Sequence, residues 1–177
     1  MYGASVAAKE GNPQTDYRYI RITDIDDDGN LCNDWKTAEM IENKYILKDG
    51  DVLFARSGAT AGKTFLYRSE VGKAIYAGYL IKFTPRKEMI LPRYLIAFTH
   101  SATYLEWAKN TRGGTAQPNI NAQQYSNLVI PVPPLSDQKK IVDEVVKYEA
   151  EIAKAKAVMD SAPARKQAIL RKYGVIA

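Results

Sequence analysis

The chain has 177 residues, of which 46% are hydrophobic and 25% charged, with a formal net charge of +5; this balance excludes a disordered chain and fits one folded domain with or without an appendage. No apolar run approaches the ~20 residues of a membrane span, and residues 1–12 lack the basic start and apolar core of a secretory signal, so no membrane role is expected and a cytoplasmic location is. A single cysteine, Cys32, and a single histidine, His100, exclude an intramolecular disulfide, multi-thiolate or multi-histidine metal sites, and any relay needing two imidazoles.

The charge is unevenly distributed. Residues 1–53 carry a net −5, residues 54–135 a net +7 and residues 136–177 a net +3. A basic central stretch in a chain with 12 tyrosines suggests a polyanionic partner. A normally solvated basic surface is the plainer alternative.

In chain order, residues 17–25 are rich in β-formers and predict a strand. Asp24-Ile25-Asp26-Asp27-Asp28-Gly29 matches the first half of a calcium loop. Its twelfth position, where the bidentate Glu belongs, is Trp35, and a strand precedes it, so a tight acidic turn is expected and no metal site is assigned, with adventitious calcium binding through its oxygens as the alternative. Residues 52–56 and 64–68 predict two strands around Ser57-Gly58-Ala59-Thr60-Ala61-Gly62-Lys63-Thr64. This loop resembles a phosphate-binding loop but has only three residues between Gly58 and Gly62, and it leads into a strand rather than a helix. Nucleotide hydrolysis is therefore not expected. The glycines can still bring backbone amides to a DNA phosphate, or simply form a hairpin turn.

Residues 74–84 predict another strand. Pro92 can open a helix reaching about residue 109. Arg112-Gly113-Gly114-Thr115-Ala116-Gln117-Pro118-Asn119-Ile120-Asn121 must be a loop. Arginine pairs bidentately with guanine, and glutamine or asparagine with adenine, so this loop is built either to read bases and grip phosphates or to satisfy its own backbone. Residues 128–132 predict a short last strand.

Three prolines in four positions, Pro131, Pro133 and Pro134, mark the main boundary. Ser136 is placed to cap a helix beyond it. Ile141, Val145, Tyr148, Ile152, Ala155, Met159 and Ala162 then alternate by four and three, the repeat of a coiled-coil seam. Such a narrow stripe calls for a partner helix from this chain or another; packing on its own domain is the alternative. Pro163 is expected to interrupt the helix, with a second, shorter one over residues 164–173.

Four segments appear in order: Tyr19-Ile20-Arg21-Ile22-Thr23-Asp24-Ile25, the run from Gly50 through Arg56 to Thr64, Gln117-Pro118-Asn119-Ile120-Asn121, and Ile130-Pro131-Val132-Pro133-Pro134-Leu135-Ser136-Asp137-Gln138. Followed by the heptad helix, this order closely resembles the specificity subunit of type I restriction-modification systems. The resemblance implies an α+β fold: a mixed, mostly antiparallel-sheet target recognition domain over residues 1–135. A helical spacer over residues 136–177 follows, a long coiled-coil-like helix and a short second one. It implies a non-enzymatic, sequence-specific DNA-binding subunit. Its expected partners are double-stranded DNA, methyltransferase subunits that carry S-adenosylmethionine, a restriction subunit in the full complex, and a second copy through the helices.

The chain itself is expected to bind no cofactor, and no amino-methyltransferase motif is present in it. Family members usually have two recognition domains and two helical regions; this chain has one of each, as a half-subunit or fragment would. A two-fold dimer is then expected to read an interrupted palindrome. The DNA-facing candidates are Arg56, Ser57, Thr60, Lys63, Arg112, Gln117, Asn119 and Asn121, with Lys63 expected on a phosphate. The candidate partner helix face is Ile141, Val145, Tyr148, Ile152, Ala155 and Met159. A helical adaptor that competes for methyltransferase subunits without reading DNA is the alternative.

Overall fold

The computed structural model describes residues 1–113 and 118–176. Chain contacts divide it into two compact units, Met1–Gln138 and Lys139–Ala177.

The first unit is built around one strand. β1 (Ala8–Lys9), β2 (Arg18–Ile20) and β3 (Thr37–Ala38) precede β4 (Val52–Ala55), which is buried at every position. β5 (Thr64–Leu66) and β7 (Leu80–Phe83) flank β4 antiparallel, in the order β5-β4-β7. β6 (Ala74–Tyr76) instead pairs in parallel with β2, and β1 pairs antiparallel with β3. The fold is thus α+β with short, mainly antiparallel sheets.

The alternation of side chains along a strand explains why β4 reads as an unbroken apolar run. Leu53 and Ala55 pack on one side with Ile20, Leu47, Phe65 and Tyr76. Val52 and Phe54 pack on the other with Leu95, Tyr104, Ile120 and Tyr125. Full burial of side chains such as Leu53 and Phe54 contributes about 1.5–3 kcal/mol each.

Several expected elements are divided or absent. The strand expected over residues 17–25 ends at Ile20, and a 3-10 turn follows at Ile22–Asp24. There the carboxylate of Asp24 accepts from the Arg21 amide at 2.9 Å and pairs with its guanidinium at 2.6 Å, folding the chain back. The strand expected over residues 74–84 is two strands, broken at Gly78. The chain turns there with the Leu80 amide donating to the Ala77 carbonyl at 2.8 Å and the Gly78 amide to the Ala4 carbonyl at 2.7 Å.

The helix expected over residues 92–109 is also two, α1 (Pro92–Thr99) and α2 (Ala102–Thr111). Ser101 caps the second, its hydroxyl accepting from the Tyr104 amide at 3.3 Å. Residues 128–132 form no strand, because Pro131 and its neighbouring prolines cannot supply a ladder of donors; the Pro131 carbonyl accepts instead from the Tyr94 hydroxyl at 2.7 Å. A short α3 (Ala122–Ser126) lies between α2 and this segment.

The last helix, α4 (Leu135–Lys172), runs 38 residues with Pro163 inside it. The expected break at Pro163 and the separate short helix are therefore corrected to a single helix. Proline removes one intrahelical bond, but residues 151–160 around the freed carbonyl are exposed, so water can serve it. Ser136 falls inside the first turn rather than at the cap, since Asp137 and Gln138 already donate to the Pro134 carbonyl. In the second unit the seam positions Ile141, Tyr148, Ile152 and Met159 are 40%, 62%, 54% and 72% exposed. Ala155 is exposed as well, and Val145 is half-buried. Among the described residues no helix is long and apolar enough to cross a membrane.

Candidate nucleic-acid interface

β4 and β5 form a hairpin, and the loop between them holds Ser57 to Lys63. Gly58 adopts a φ of +67° with open space around its Cα, as a turn glycine does. The amides of Gly58, Ala61, Gly62 and Lys63 donate to the carbonyls of Pro118, Gly58, Ala55 and Thr60. The loop is therefore a hairpin connection in which these four amides are engaged within the protein and not offered to a phosphate.

This hairpin meets the segment after α2. Ser57 and Asn119 form an antiparallel bridge. The Gly58 amide donates to the Pro118 carbonyl at 2.9 Å, and the Ile120 amide to the Arg56 carbonyl at 2.8 Å. The Asn119 amide donates to the Arg112 carbonyl at 3.3 Å. These bonds gather Arg56, Ser57, Arg112, Asn119 and Asn121 at one end of the central sheet, although they are up to 65 positions apart in sequence.

The side chains at this end differ in what they can offer. Arg56 is half-buried; its Nε donates to Asn119 Oδ1 at 3.3 Å, and its guanidinium lies 4.8 Å from the Tyr2 ring centroid. Arg112 closes α2 and is half-buried. Ser57 is buried, at 7% exposure. Thr60 donates its hydroxyl to the Ser57 carbonyl at 2.9 Å. Asn121 caps α3: its Oδ1 accepts from the Gln124 amide at 2.9 Å, and its own amide donates to Gln124 Oε1 at 2.9 Å. Lys63 pairs with Asp27 at 2.9 Å and with the Ile25 carbonyl at 3.4 Å. It ties the hairpin to the acidic turn. Gln117 lies outside the described residues.

The acidic turn itself is a network of local bonds. Asp26 Oδ1 accepts from the amides of Asp28 and Asn30 at 3.0 and 2.7 Å, Asp24 is held by Arg21, and Asp27 by Lys63. Each of these carboxylates faces a different partner. Among the described residues no group of three or more His, Cys, Asp or Glu side chains converges.

Of the twelve tyrosines, read from composition as an aromatic complement to a polyanion, half bond the backbone of the fold through their hydroxyls. The hydroxyls of Tyr19, Tyr67, Tyr76, Tyr94, Tyr104 and Tyr125 each donate to a backbone carbonyl. Two of them underlie the hairpin: Tyr104 donates to Gly62 at 2.8 Å and Tyr125 to Ala55 at 2.7 Å. Burial pushes both phenols upward from the usual tyrosine range. The exposed exceptions at the gathered edge are Tyr2 and Tyr79, at 41% and 56% exposure. Neither was singled out in the sequence. Tyr2 lies 54 positions before Arg56, and no linear pattern links the two.

Residues 3–158 match the family model of the type I restriction modification DNA specificity domain. The type I restriction enzyme MjaVIII specificity subunit of Methanocaldococcus jannaschii is 26% identical over 106 residues, covering 60% of this chain and 24% of that protein. The crystal structure of the HsdS subunit from Thermoanaerobacter tengcongensis superimposes with a TM-score of 0.63 at 18% identity, covering 97% of this chain and 46% of that one. A second structure, described as the structural basis of complex assembly and conformational transition of the type I R-M system, gives 0.68 at 20% identity, with 99% and 46% coverage. The chain thus spans about a quarter of that curated relative and under half of either solved chain.

Proposed function

The chain belongs to the type I restriction-modification DNA specificity domain family, and from that premise we propose that its first unit reads one DNA half-site. The observation that carries this is the bridge between Ser57 and Asn119. It places Arg56, Arg112 and Asn119, side chains suited to base edges and phosphates, at one end of a rigid sheet. Ser57, Thr60 and Asn121 support that edge through their local bonds. Lys63 reaches a phosphate only by exchanging Asp27, so it acts at the margin. Gln117 stays a candidate by residue type alone, outside the described residues.

In this reading the chain is not an enzyme. S-adenosylmethionine and the methyl-transfer chemistry belong to methyltransferase subunits, and cleavage to a restriction subunit. The exposed stripe on α4 docks a methyltransferase subunit and pairs with a second copy. At ~1.5 Å per residue, its 38 residues extend about 57 Å. That exceeds one DNA turn of ~34 Å, enough to separate two readers on an interrupted palindrome.

The test is selection from random duplex DNA at about 150 mM salt, where purely electrostatic binding is weak, with the chain alone and with a methyltransferase subunit. An interrupted palindrome supports a two-fold pair of half-site readers, and a single short tract a lone reader. No enrichment in either condition overturns DNA reading. It would favour a helical adaptor competing for methyltransferase subunits, a role to which the engaged side chains of Thr60 and Asn121 and the open seam of α4 are equally suited.

A further inference from the structure

Arg56 is held more firmly than a surface arginine needs to be. Its backbone is fixed from both sides: its amide donates to the Tyr79 carbonyl at 2.9 Å, and its carbonyl accepts from the Ile120 amide at 2.8 Å. Its guanidinium lies over the Tyr2 ring, 4.8 Å from the centroid, while Nε is turned to Asn119 Oδ1 at 3.3 Å. The Tyr2 ring is fixed in turn. Its hydroxyl accepts from the Ala122 amide at 3.1 Å, and its backbone bridges Ile81. The next residue, Gly3, runs so close to β6 that a Cβ would stand 2.4 Å from the carbonyl oxygens of Tyr76 and Ala77.

With Nε engaged, the terminal nitrogens of the fork are the donors left to a ligand. Among the described residues they meet no acceptor. The partly exposed Tyr2 ring lies against the guanidinium, and the backbone of exposed Tyr79 accepts from the Arg56 amide. A planar fork held at its root suits two adjacent acceptors: N7 and O6 of a guanine, or two oxygens of one phosphate. Lysine cannot imitate it.

We propose that Arg56 is a preorganised fork for a pair of adjacent acceptors on DNA, and that Tyr2 and Asn119 are its positioning residues. The proposal rests on the DNA-reading function above and names the contact at its centre. Stacking on Tyr2 lowers the ordering cost of a long side chain, so the ring contributes to affinity without touching DNA.

The experiment uses the full chain and the duplex recovered by the selection, with Arg56→Lys, Tyr2→Phe and Tyr2→Leu. Arg56→Lys keeps the charge and is expected to lose roughly 5- to 150-fold in specific affinity, the worth of one bidentate contact. Tyr2→Leu is expected to lose about 2- to 5-fold, the worth of a partly exposed cation–π contact. Tyr2→Phe, which keeps the ring face, should retain most of that affinity. Wild-type melting temperature and retained low-salt binding establish that each variant is folded.

Two arms identify the acceptor. A 7-deazaguanine scan removes N7 one guanine at a time, and a methylphosphonate scan removes one phosphate charge at a time. One lesion that weakens the wild type but no longer weakens Arg56→Lys supports the proposal and names its target. If no lesion in either scan shows that coupling, or if Tyr2→Leu binds as the wild type does, the proposal is overturned while DNA reading stands. If the wild type recovers no duplex, both fall, and that result is distinct.

Discussion

Gln138 is the one buried residue of α4, fully removed from solvent at its first turn. Its Oε1 accepts from the Leu91 amide at 2.8 Å, and its Nε2 donates to the carbonyls of Met89 and Pro133, each at 2.8 Å. One amide side chain thus joins the entry to α1, the proline segment and the start of α4. Replacing it with leucine keeps the approximate volume but leaves one donor and two acceptors unpaired. A buried unsatisfied group costs ~1–3 kcal/mol. Met89 is half exposed, and Leu91 and Pro133 are partly so, which places each group at the low end of that range.

The expected loss is therefore ~3 kcal/mol. At ~2–4 °C per kcal/mol for a chain of this size, Gln138→Leu should melt ~6–12 °C below the wild type by calorimetry. Urea unfolding should show the same free-energy loss. Lys139→Ala, at the exposed neighbouring position, should change stability by no more than ~0.5 kcal/mol. A Gln138→Leu melting point within about 1 °C of the wild type would refute the claim that these three bonds hold the segment.

Ile152→Asp places a charge on the exposed seam of α4. It should abolish self-association or methyltransferase binding in sedimentation velocity, because an unpaired buried charge is costly, while leaving the melting of the first unit unchanged. Unaltered assembly would remove the seam from the interface. Lys63→Ala should lower the slope of log affinity against log salt by less than the ~0.9 of a full phosphate contact, since Asp27 competes for the ammonium. An unchanged slope would leave Lys63 as a structural tie alone.

Burial raises the phenols of Tyr76, Tyr104 and Tyr125 above their unfolded value near 10. Their contribution is fully present below that pH and is lost as pH rises toward the folded values, because the unfolded chain deprotonates first. Urea titrations should show stability constant to about pH 10 and falling beyond it, by up to ~1.4 kcal/mol per pH unit for each tyrosine. Stability that stays flat through pH 11 would contradict the burial argument.

Much of the architecture was legible in linear order, because local chemistry dictates it. The apolar run at β4, the prolines before α4 and the four-three spacing of Ile141, Val145, Tyr148, Ile152, Ala155 and Met159 are periodic or steric signals. The errors fell where tertiary contacts outweighed local preference. A continuous β-rich run is divided at Gly78, whose amide turns to the Ala4 carbonyl of the N-terminal segment. Ser101 divides a helical pattern so that Leu95 and Tyr104 both reach the same core. Pro163, by contrast, leaves α4 unbroken because the carbonyl it frees is open to water, not because of a tertiary contact.

At the candidate interface the sequence determined which residue types were present and in what order; it did not determine what each side chain faces. A motif lists neighbours along the chain, whereas hydrogen-bond partners are neighbours in space. The Asn121 cap of α3 is a local Asn-x-x-Gln box, whereas tertiary structure alone decided that Lys63 pairs with Asp27 and that the Gly58 amide is engaged by the Pro118 carbonyl. It also decided that Tyr2, 54 positions from Arg56, lies beneath the guanidinium. The physical reason is that strand pairing across β4 brings distant segments to one edge, and directional bonds then commit some polar groups to the fold and leave others for a ligand.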